Sequence, residues 1–109
     1  MSKFMLLYRA PVSSRDQLAN ATPEQIQAGA AAWQAWATKV GYALVDLGSP
    51  LAHTTHAGAG AASTDGVCGY SIVEAGSSDE VGTLIDGHPH FSMPSASIEV
   101  LEVIPMGDL

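Results

Sequence analysis

The segment from residue 22 to residue 41 constrains the fold most, because it carries signals for both ends of one long helix. Thr22 can cap the helix, Pro23 suits its first turn, and Gln25 completes a capping box with Thr22. Apolar residues follow at spacings of three and four, and Gly41 is suited to end the helix. The sequence therefore predicts an amphipathic helix over residues 23–40. Its apolar stripe consists of Ile26, Ala30, Trp33, Trp36, Ala37 and Val40.

Four short segments with strand character surround this helix. They are residues 3–10, 42–47, 67–75 and 98–104, and they are bounded by Pro and Gly turn signals. A second helix is capped by Ser77 or Ser78 and stops near Gly87. Between these elements, residues 11–20 are predicted as a polar connection, residues 51–55 are compatible with a short strand extension, and residues 57–63 and the Asp65-Gly66 turn form a loop.

The resulting order is β-α-β-β-α-β, which is typical of a ferredoxin-like α+β fold with a four-stranded antiparallel sheet. We expect one domain over residues 1–109, with both helices on one face of the sheet. No helix remains for the other face, which would leave an apolar surface exposed. The sequence therefore predicts a homodimer that forms through the sheet faces.

Charge and cysteine content exclude several classes of protein. The formal net charge is −7, and the chain has only four Lys and Arg residues, so a nucleic-acid or anionic-membrane surface is not expected. A single cysteine, Cys68, excludes an internal disulfide and a metal site built on several thiolates. We find no signal peptide and no membrane span, and a lone thiol fits a reducing compartment, so the predicted location is the cytoplasm.

The chemistry that the sequence offers is concentrated at His88-Pro89-His90, just before the last strand. Histidine titrates near neutral pH and can act as a proton carrier. Since the two rings are two residues apart, we expect only one to enter a cleft, and we favour His90 as the catalytic group. His88 is a substrate-binding candidate. The alternative for His90 is a buried ring that is bonded to the backbone.

Asp46, at the end of the second strand, is the predicted partner that orients His90, or else it accepts hydrogen bonds from the amides of its own Gly48-Ser49 turn. The predicted pocket wall consists of Tyr8, Arg9, Trp33 and Trp36. The alternatives are a helix core for the two tryptophans, which is the commoner role of such residues, and a surface ion pair for Arg9.

Four histidines raise the question of a metal, because His53 and His56 are spaced like a pair of ligands. That pair lies beside the Gly and Ala loop, and no carboxylate falls inside either histidine pair. We therefore predict no metal and no cofactor.

Several stretches resemble the YCII-related family, a group of dimeric α+β barrel proteins. They are the first strand, Ala35-Trp36 leading to Gly41, Val45-Asp46-Leu47-Gly48-Ser49-Pro50-Leu51, Gly69-Tyr70-Ser71-Ile72-Val73-Glu74-Ala75, and His88-Pro89-His90 with the last strand. The resemblance implies two protomers with sheets packed face to face, and a cleft between sheet and helices where a His-Asp pair acts in some members. This chain has no histidine over residues 28–32, where the family's suggested histidine lies.

If the protein is an enzyme, we expect cofactor-independent acid-base chemistry of lyase or hydrolase type on a small organic molecule. His90 would carry the proton, and Asp46 would orient it. The alternative is a non-catalytic dimeric module that binds a small ligand. The sequence does not identify the ligand.

Overall fold

The computed structural model describes residues 1–60 and 66–108, and over these ranges one sheet carries helices on one of its faces. The strands are β1 (Ser2–Arg9), β2 (Leu44–Pro50), β3 (Val67–Ala75) and β4 (Ser97–Val103). The α-helices are α1 (Ser14–Asn20), α2 (Pro23–Val40) and α3 (Ser78–Leu84). Single 3₁₀ turns cover Gly41–Ala43, Pro89–Ser92 and Met106–Asp108.

The sheet has the strand order β2-β3-β1-β4, and every neighbouring pair is antiparallel. The first strand therefore lies in the interior of the sheet, where Met5 pairs with Ile72 on one side and Leu101 on the other. This strand order, with helices after β1 and β3, is the ferredoxin-like topology. The predicted fold class is confirmed.

Helix α2 begins and ends where the sequence predicts. Thr22 Oγ1 accepts the Gln25 N–H at 3.1 Å, and Gln25 Oε1 accepts the Thr22 N–H at 2.9 Å, which completes the capping box. Gly41 ends the helix at φ +56°, a left-handed conformation in which a side chain would be strained. These local signals depend only on neighbours within four residues, which explains why they could be read from the sequence.

The predicted polar connection over residues 11–20 is wrong, because most of it forms α1. Ser13 caps this helix by accepting the Asp16 N–H at 3.2 Å, and Gln17 Nε2 donates to the Val12 carbonyl at 2.6 Å. The described residues thus form three α-helices rather than the two predicted. Helix α1 has seven residues and many polar ones, so it has too short an apolar repeat to be recognised.

Other boundaries differ by a few residues. Residues 41–43 form a 3₁₀ turn, so β2 starts at Leu44 and extends to Pro50, while residues 51–55 form no strand. The last α-helix ends at Leu84, earlier than predicted. The part of the predicted loop over residues 61–63, together with Asp65 of the predicted turn, lies outside the described residues.

Alternate residues of each central strand separate the two faces of the sheet. Toward the helices, the core contains Phe4, Leu6, Tyr8, Val73 and Ala75 of the sheet, with Trp36, Val40 and Val81 of the helices. On the opposite face, Met5, Leu7 and Ile72 are only half-buried, and Leu101 and Val103 are exposed. The helices therefore cover one face of the sheet, as predicted.

Candidate functional site

A cavity of about 580 Å³ lies between the sheet and the first two helices. Helix α1, the first half of α2, the ends of β2 and β3 and the turn at Pro89–Ser92 form its walls. Tyr8, Trp33 and His90 supply ring side chains to the wall. The volume falls within the range of small-molecule sites in proteins.

The cavity exists because the first half of α2 carries small residues and does not pack on the sheet. Ile26 is 46% exposed although it belongs to the apolar stripe, and Gly29 and Ala30 are exposed beside it. On the opposite wall, the backbone of Gly48 lies so close to the backbone of β3 that a Cβ on Gly48 would be 1.7 Å from the Tyr70 carbonyl oxygen. The φ angle of Gly48 is +80°. Only glycine fits this position, because any side chain would collide with the β3 backbone.

A chain of hydrogen bonds runs behind the cavity wall. The His90 backbone N–H donates to His88 Nδ1 at 3.0 Å, so a neutral His88 must carry its proton on Nε2. That proton is donated to the Tyr8 hydroxyl at 3.0 Å. Tyr8 donates to Ser71 Oγ at 2.8 Å, and Ser71 donates to the Leu47 carbonyl at 2.5 Å. The series of hydrogen bonds begins at a backbone N–H and ends at a backbone carbonyl. Each side chain in it can therefore donate its proton only to the next member of the series.

His88 is enclosed by aromatic rings. Its ring centroid lies 4.3 Å from that of Trp36, 4.7 Å from that of Trp33 and 5.1 Å from that of Tyr8, and the residue is 2% exposed. Burial, assisted by the neighbouring His90, lowers the pKa of His88 to about 4. Burial also raises the pKa of Tyr8 to about 12, against the opposing effect of its bond to Ser71. The side chains of this hydrogen-bond chain, His88, Tyr8 and Ser71, are therefore uncharged at neutral pH.

His90 occupies a different environment, because it lines the cavity while His88 does not. Its Nε2 makes a 2.9 Å hydrogen bond to the Arg9 carbonyl oxygen. A carbonyl only accepts, so the Nε2 atom carries the proton and Nδ1 keeps a lone pair. Within residues 1–60 and 66–108, Nδ1 forms no hydrogen bond. The Nδ1 lone pair of His90 is therefore able to accept a hydrogen bond or a proton.

Asp46 does not contact His90. Its Oδ1 accepts the Gly48 N–H at 2.8 Å, and its Oδ2 accepts the Tyr70 hydroxyl at 3.3 Å. This is the turn-capping arrangement that the sequence left open as the alternative. No hydrogen bond or ion pair between Asp46 and an imidazole occurs in the described part of the chain.

The other predicted site residues divide between the cavity and the structure around it. Tyr8 and Trp33 line the cavity, whereas Trp36 lies behind Trp33 and donates its Nε1–H to the Leu84 carbonyl at 2.9 Å. Arg9 directs its Nε to Glu99 Oε1, 2.9 Å away on the opposite face of the sheet. It contributes a backbone carbonyl to the site rather than its charge. The roles assigned to these residues remain predictions.

Sequence reasoning missed Ser71 and the residues of α1. Ser71 is fully buried at an inward position of β3, and its place in an alternating strand was a signal that could have found it. Ser14 and Gln17 of α1 line the cavity beside Cys68, whose thiol pKa is raised by burial. These residues were missed because α1 itself was missed.

The histidines near the Gly and Ala loop lie apart from the cavity wall. His56 Nε2 lies 2.6 Å from the Gly60 carbonyl oxygen, and both histidines of the pair are exposed. Among the described residues, no three His, Cys, Asp or Glu side chains group closely enough to hold a metal ion. In the same part of the chain, no helix is long and apolar enough to cross a membrane.

Comparisons with known proteins add little to this site. No family model matches the chain, and no curated protein matches it. A similar solved structure is 5-chloro-2-hydroxyhydroquinone dehydrochlorinase (TftG) from Burkholderia phenoliruptrix AC1100, in complex with 2,5-dihydroxybenzoquinone. The two chains are 23% identical over 89% of this chain and 90% of that one, with a TM-score of 0.47. Similarity at this level carries no argument about function, and the resemblance to the YCII-related family stays a prediction.

Proposed function

We propose that the cavity binds a small organic molecule and that His90 transfers a proton to and from it without a cofactor. The observation that carries this proposal is the placement of His90. Its ring lines the cavity, and its Nε2 is held by the Arg9 carbonyl, so Nδ1 is the ring nitrogen that a bound molecule can meet.

The Arg9 carbonyl supplies the orientation that the sequence predicted for Asp46. It fixes the ring and the tautomer of His90, as the third group does in base-orienter arrangements. When Nδ1 takes a proton, the Nε2–H bond to this carbonyl becomes charge-assisted and strengthens. Return of the proton to another carbon of the substrate would give an isomerisation. If instead the bond to a leaving group on the neighbouring carbon breaks and the proton goes to that leaving group, the result is a lyase-type elimination.

His88 supports this chemistry as a positioning residue. It accepts the His90 backbone N–H and donates to the Tyr8 hydroxyl, so it fixes two residues of the cavity wall at once. Because His88 stays neutral, it places no positive charge behind His90 that would oppose proton uptake there.

The second candidate function is a non-catalytic module that binds a small ligand in the same cavity. It is favoured by the absence of a carboxylate partner for His90 in the described chain, since Asp46 is occupied by its own turn. Under this candidate, His90 would bind the ligand and never exchange a proton with its carbon atoms.

We further propose that a second copy of the chain covers the open face of the sheet. The half-buried Met5, Leu7 and Ile72, together with the exposed Leu101 and Val103, support this homodimer. A cytoplasmic location is likewise proposed, on the basis of the single free thiol of Cys68.

Deuterium exchange tests the catalytic proposal without knowledge of the reaction. A library of small carbonyl compounds and phenols is incubated with the protein in D₂O, and incorporation at carbon is followed by proton NMR. We expect at least one compound to exchange, with a loss of about 10²-fold or more in His90→Ala. His53→Ala, which alters an exposed histidine outside the cavity wall, serves as the control.

Two results would decide against His90 as catalyst. Exchange that persists at the wild-type rate in His90→Ala would assign the chemistry to another group. Compounds that bind but never exchange would favour the non-catalytic module.

A further inference from the structure

We propose that the cavity selects an uncharged ligand that donates a hydrogen bond through an O–H or N–H group, and that it rejects anions of the same shape. This inference rests on the proposed function, because it takes the cavity to be the binding site. It adds the chemical class of the ligand.

The first argument concerns charge. None of the described residues that line the cavity is Asp, Glu, Lys or Arg. Much of the wall is apolar, with Leu18, Ile26, Trp33 and Met93 among its residues. An ion that enters such a site loses part of its hydration and gains no counter-ion, so its binding is less favourable than that of an uncharged molecule. The formal charge of −7 adds a repulsion that acts on anions alone.

The second argument concerns the direction of the hydrogen bonds at the inner wall. His90 donates from Nε2 to the Arg9 carbonyl, so its Nδ1 is an acceptor. The only hydroxyl proton of Tyr8 goes to Ser71, and that of Ser71 goes to the Leu47 carbonyl. This series of hydrogen bonds ends at the Leu47 backbone carbonyl. Neither the Tyr8 nor the Ser71 hydroxyl can therefore turn toward a ligand without leaving a buried acceptor unpaired.

Other hydroxyls in the wall are committed in the same way. Ser14 donates to the Cys68 carbonyl at 2.5 Å, and Ser92 donates to the Pro89 carbonyl at 2.8 Å. Among the described residues of the wall, the side chains that retain an N–H or O–H proton are Gln17, Gln25, Ser49 and the indole of Trp33, all on exposed or half-buried parts of the wall. The buried part of the wall at Tyr8 and His90 therefore presents acceptors, and a ligand that reaches it must bring the donor.

Three naphthalene derivatives that share one ring system separate the effect of ligand charge on affinity from the effect of hydrogen bonding. 2-Naphthol is uncharged and carries a donor, 2-methoxynaphthalene is uncharged and has none, and 2-naphthoate is an anion. Each is titrated into the full chain near pH 7.5, with affinity from calorimetry and location from the Trp33 indole and His90 signals in NMR spectra. We expect 2-naphthol to bind about tenfold tighter than 2-methoxynaphthalene, which corresponds to about 1.4 kcal/mol and lies within the range of one hydrogen bond. We expect 2-naphthoate to bind weakest.

A variant assigns the preference to His90. His90→Phe keeps a ring in the wall but removes the Nδ1 acceptor, so it should lose most of the preference for 2-naphthol over 2-methoxynaphthalene. His53→Ala should keep the wild-type preference. The comparison of the three ligands on the wild-type protein does not depend on whether His90→Phe folds.

The outcomes distinguish this inference from the proposed function. If no naphthalene binds in the cavity, the proposed function fails and the selection fails with it. If all three bind there with equal affinity, the cavity remains the ligand site and only the selection is overturned. Tighter binding of 2-naphthoate than of 2-naphthol would overturn the selection by showing that a cation reaches the ligand.

Discussion

The two halves of helix α2 carry one continuous apolar stripe and use it differently. In the second half, Trp36 and Val40 are 3% and 8% exposed, and they pack in the core. In the first half, Ile26 is 46% exposed and faces the cavity. The periodicity of a stripe thus predicts a helix with an apolar side, but it does not predict whether that side meets a core or a cavity.

The same division separates the two histidines. His88 lies on the closed side, against Trp36, and both of its ring nitrogens are bonded within the protein. His90 lies on the cavity side with Nδ1 unbonded among the described residues. Two residues of separation along the chain are sufficient to place one imidazole in the structural core and the other at the candidate site.

The largest effect is expected from the closed half. Trp36→Ala removes a buried indole that also bonds to the Leu84 carbonyl, and it should lower the free energy of unfolding by about 3–5 kcal/mol. Urea denaturation measures this loss. If Trp36→Ala costs less than about 1 kcal/mol, the second half of α2 is not the closed region described above.

Acidification should lower the stability of the protein through the buried His88. The pKa of His88 is about 4 in the folded protein, below its ordinary value of 6.5, so protons bind more tightly to the unfolded chain. The stability that the neutral ring contributes is complete above about pH 6.5 and is lost as the pH falls toward 4. The whole effect is on the order of 3 kcal/mol.

The matched variant for this prediction is His88→Gln, which retains a side-chain amide but cannot titrate. Carboxylates protonate in both proteins, so the difference between their losses from pH 7 to pH 4 isolates His88. Equal losses in the two proteins would mean that the imidazole is not sealed from solvent.

Removal of one hydroxyl should have a smaller effect. Tyr8→Phe leaves the His88 Nε2–H without an acceptor and Ser71 without a donor, and it should cost about 1–3 kcal/mol. Tyr70→Phe is the control, because its hydroxyl bonds to Asp46 at the surface, and it should change stability by less than about 0.5 kcal/mol. Thermal and urea unfolding of the two variants measure this difference. Equal losses of unfolding free energy in the two variants would contradict a buried series of hydrogen bonds at Tyr8.

The smallest change in stability is expected from the open half of α2. Ile26→Ala should leave the free energy of unfolding within about 0.5 kcal/mol of wild type, since the side chain is half exposed and no core surrounds it. The same variant should weaken 2-naphthol binding severalfold, because Ile26 lines the cavity. A large loss of stability with unchanged binding would reverse the assignments of the two halves.

Much of the fold could be predicted from the sequence because its signals are local. The capping box at Thr22, the turn at Gly48 and the alternation in β3 depend on a few neighbours each. Helix α1 was missed because seven mostly polar residues give no clear period, and its position depends on contacts such as Ser14 with the Cys68 carbonyl, 54 residues away.

The candidate site was harder to predict for a related reason. The histidines could be found as residue types, but their partners lie on distant strands: Tyr8 is 80 residues from His88, and Arg9 is 81 residues from His90. Neither partner is a carboxylate, and Asp46, the predicted carboxylate partner, bonds within its own turn instead. Every residue has a backbone carbonyl, so the sequence does not indicate which carbonyl will bind His90.

The most direct test of the account is the tautomeric state of the two rings, read from long-range ¹H–¹⁵N spectra of protein labelled with ¹⁵N-histidine. Near pH 8, both His88 and His90 should carry the proton on Nε2, and addition of 2-naphthol should shift the Nδ1 resonance of His90 while that of His88 stays in place. A proton on Nδ1 of His90, or a naphthol response at His88 alone, would contradict the division between a sealed histidine and one that faces the cavity.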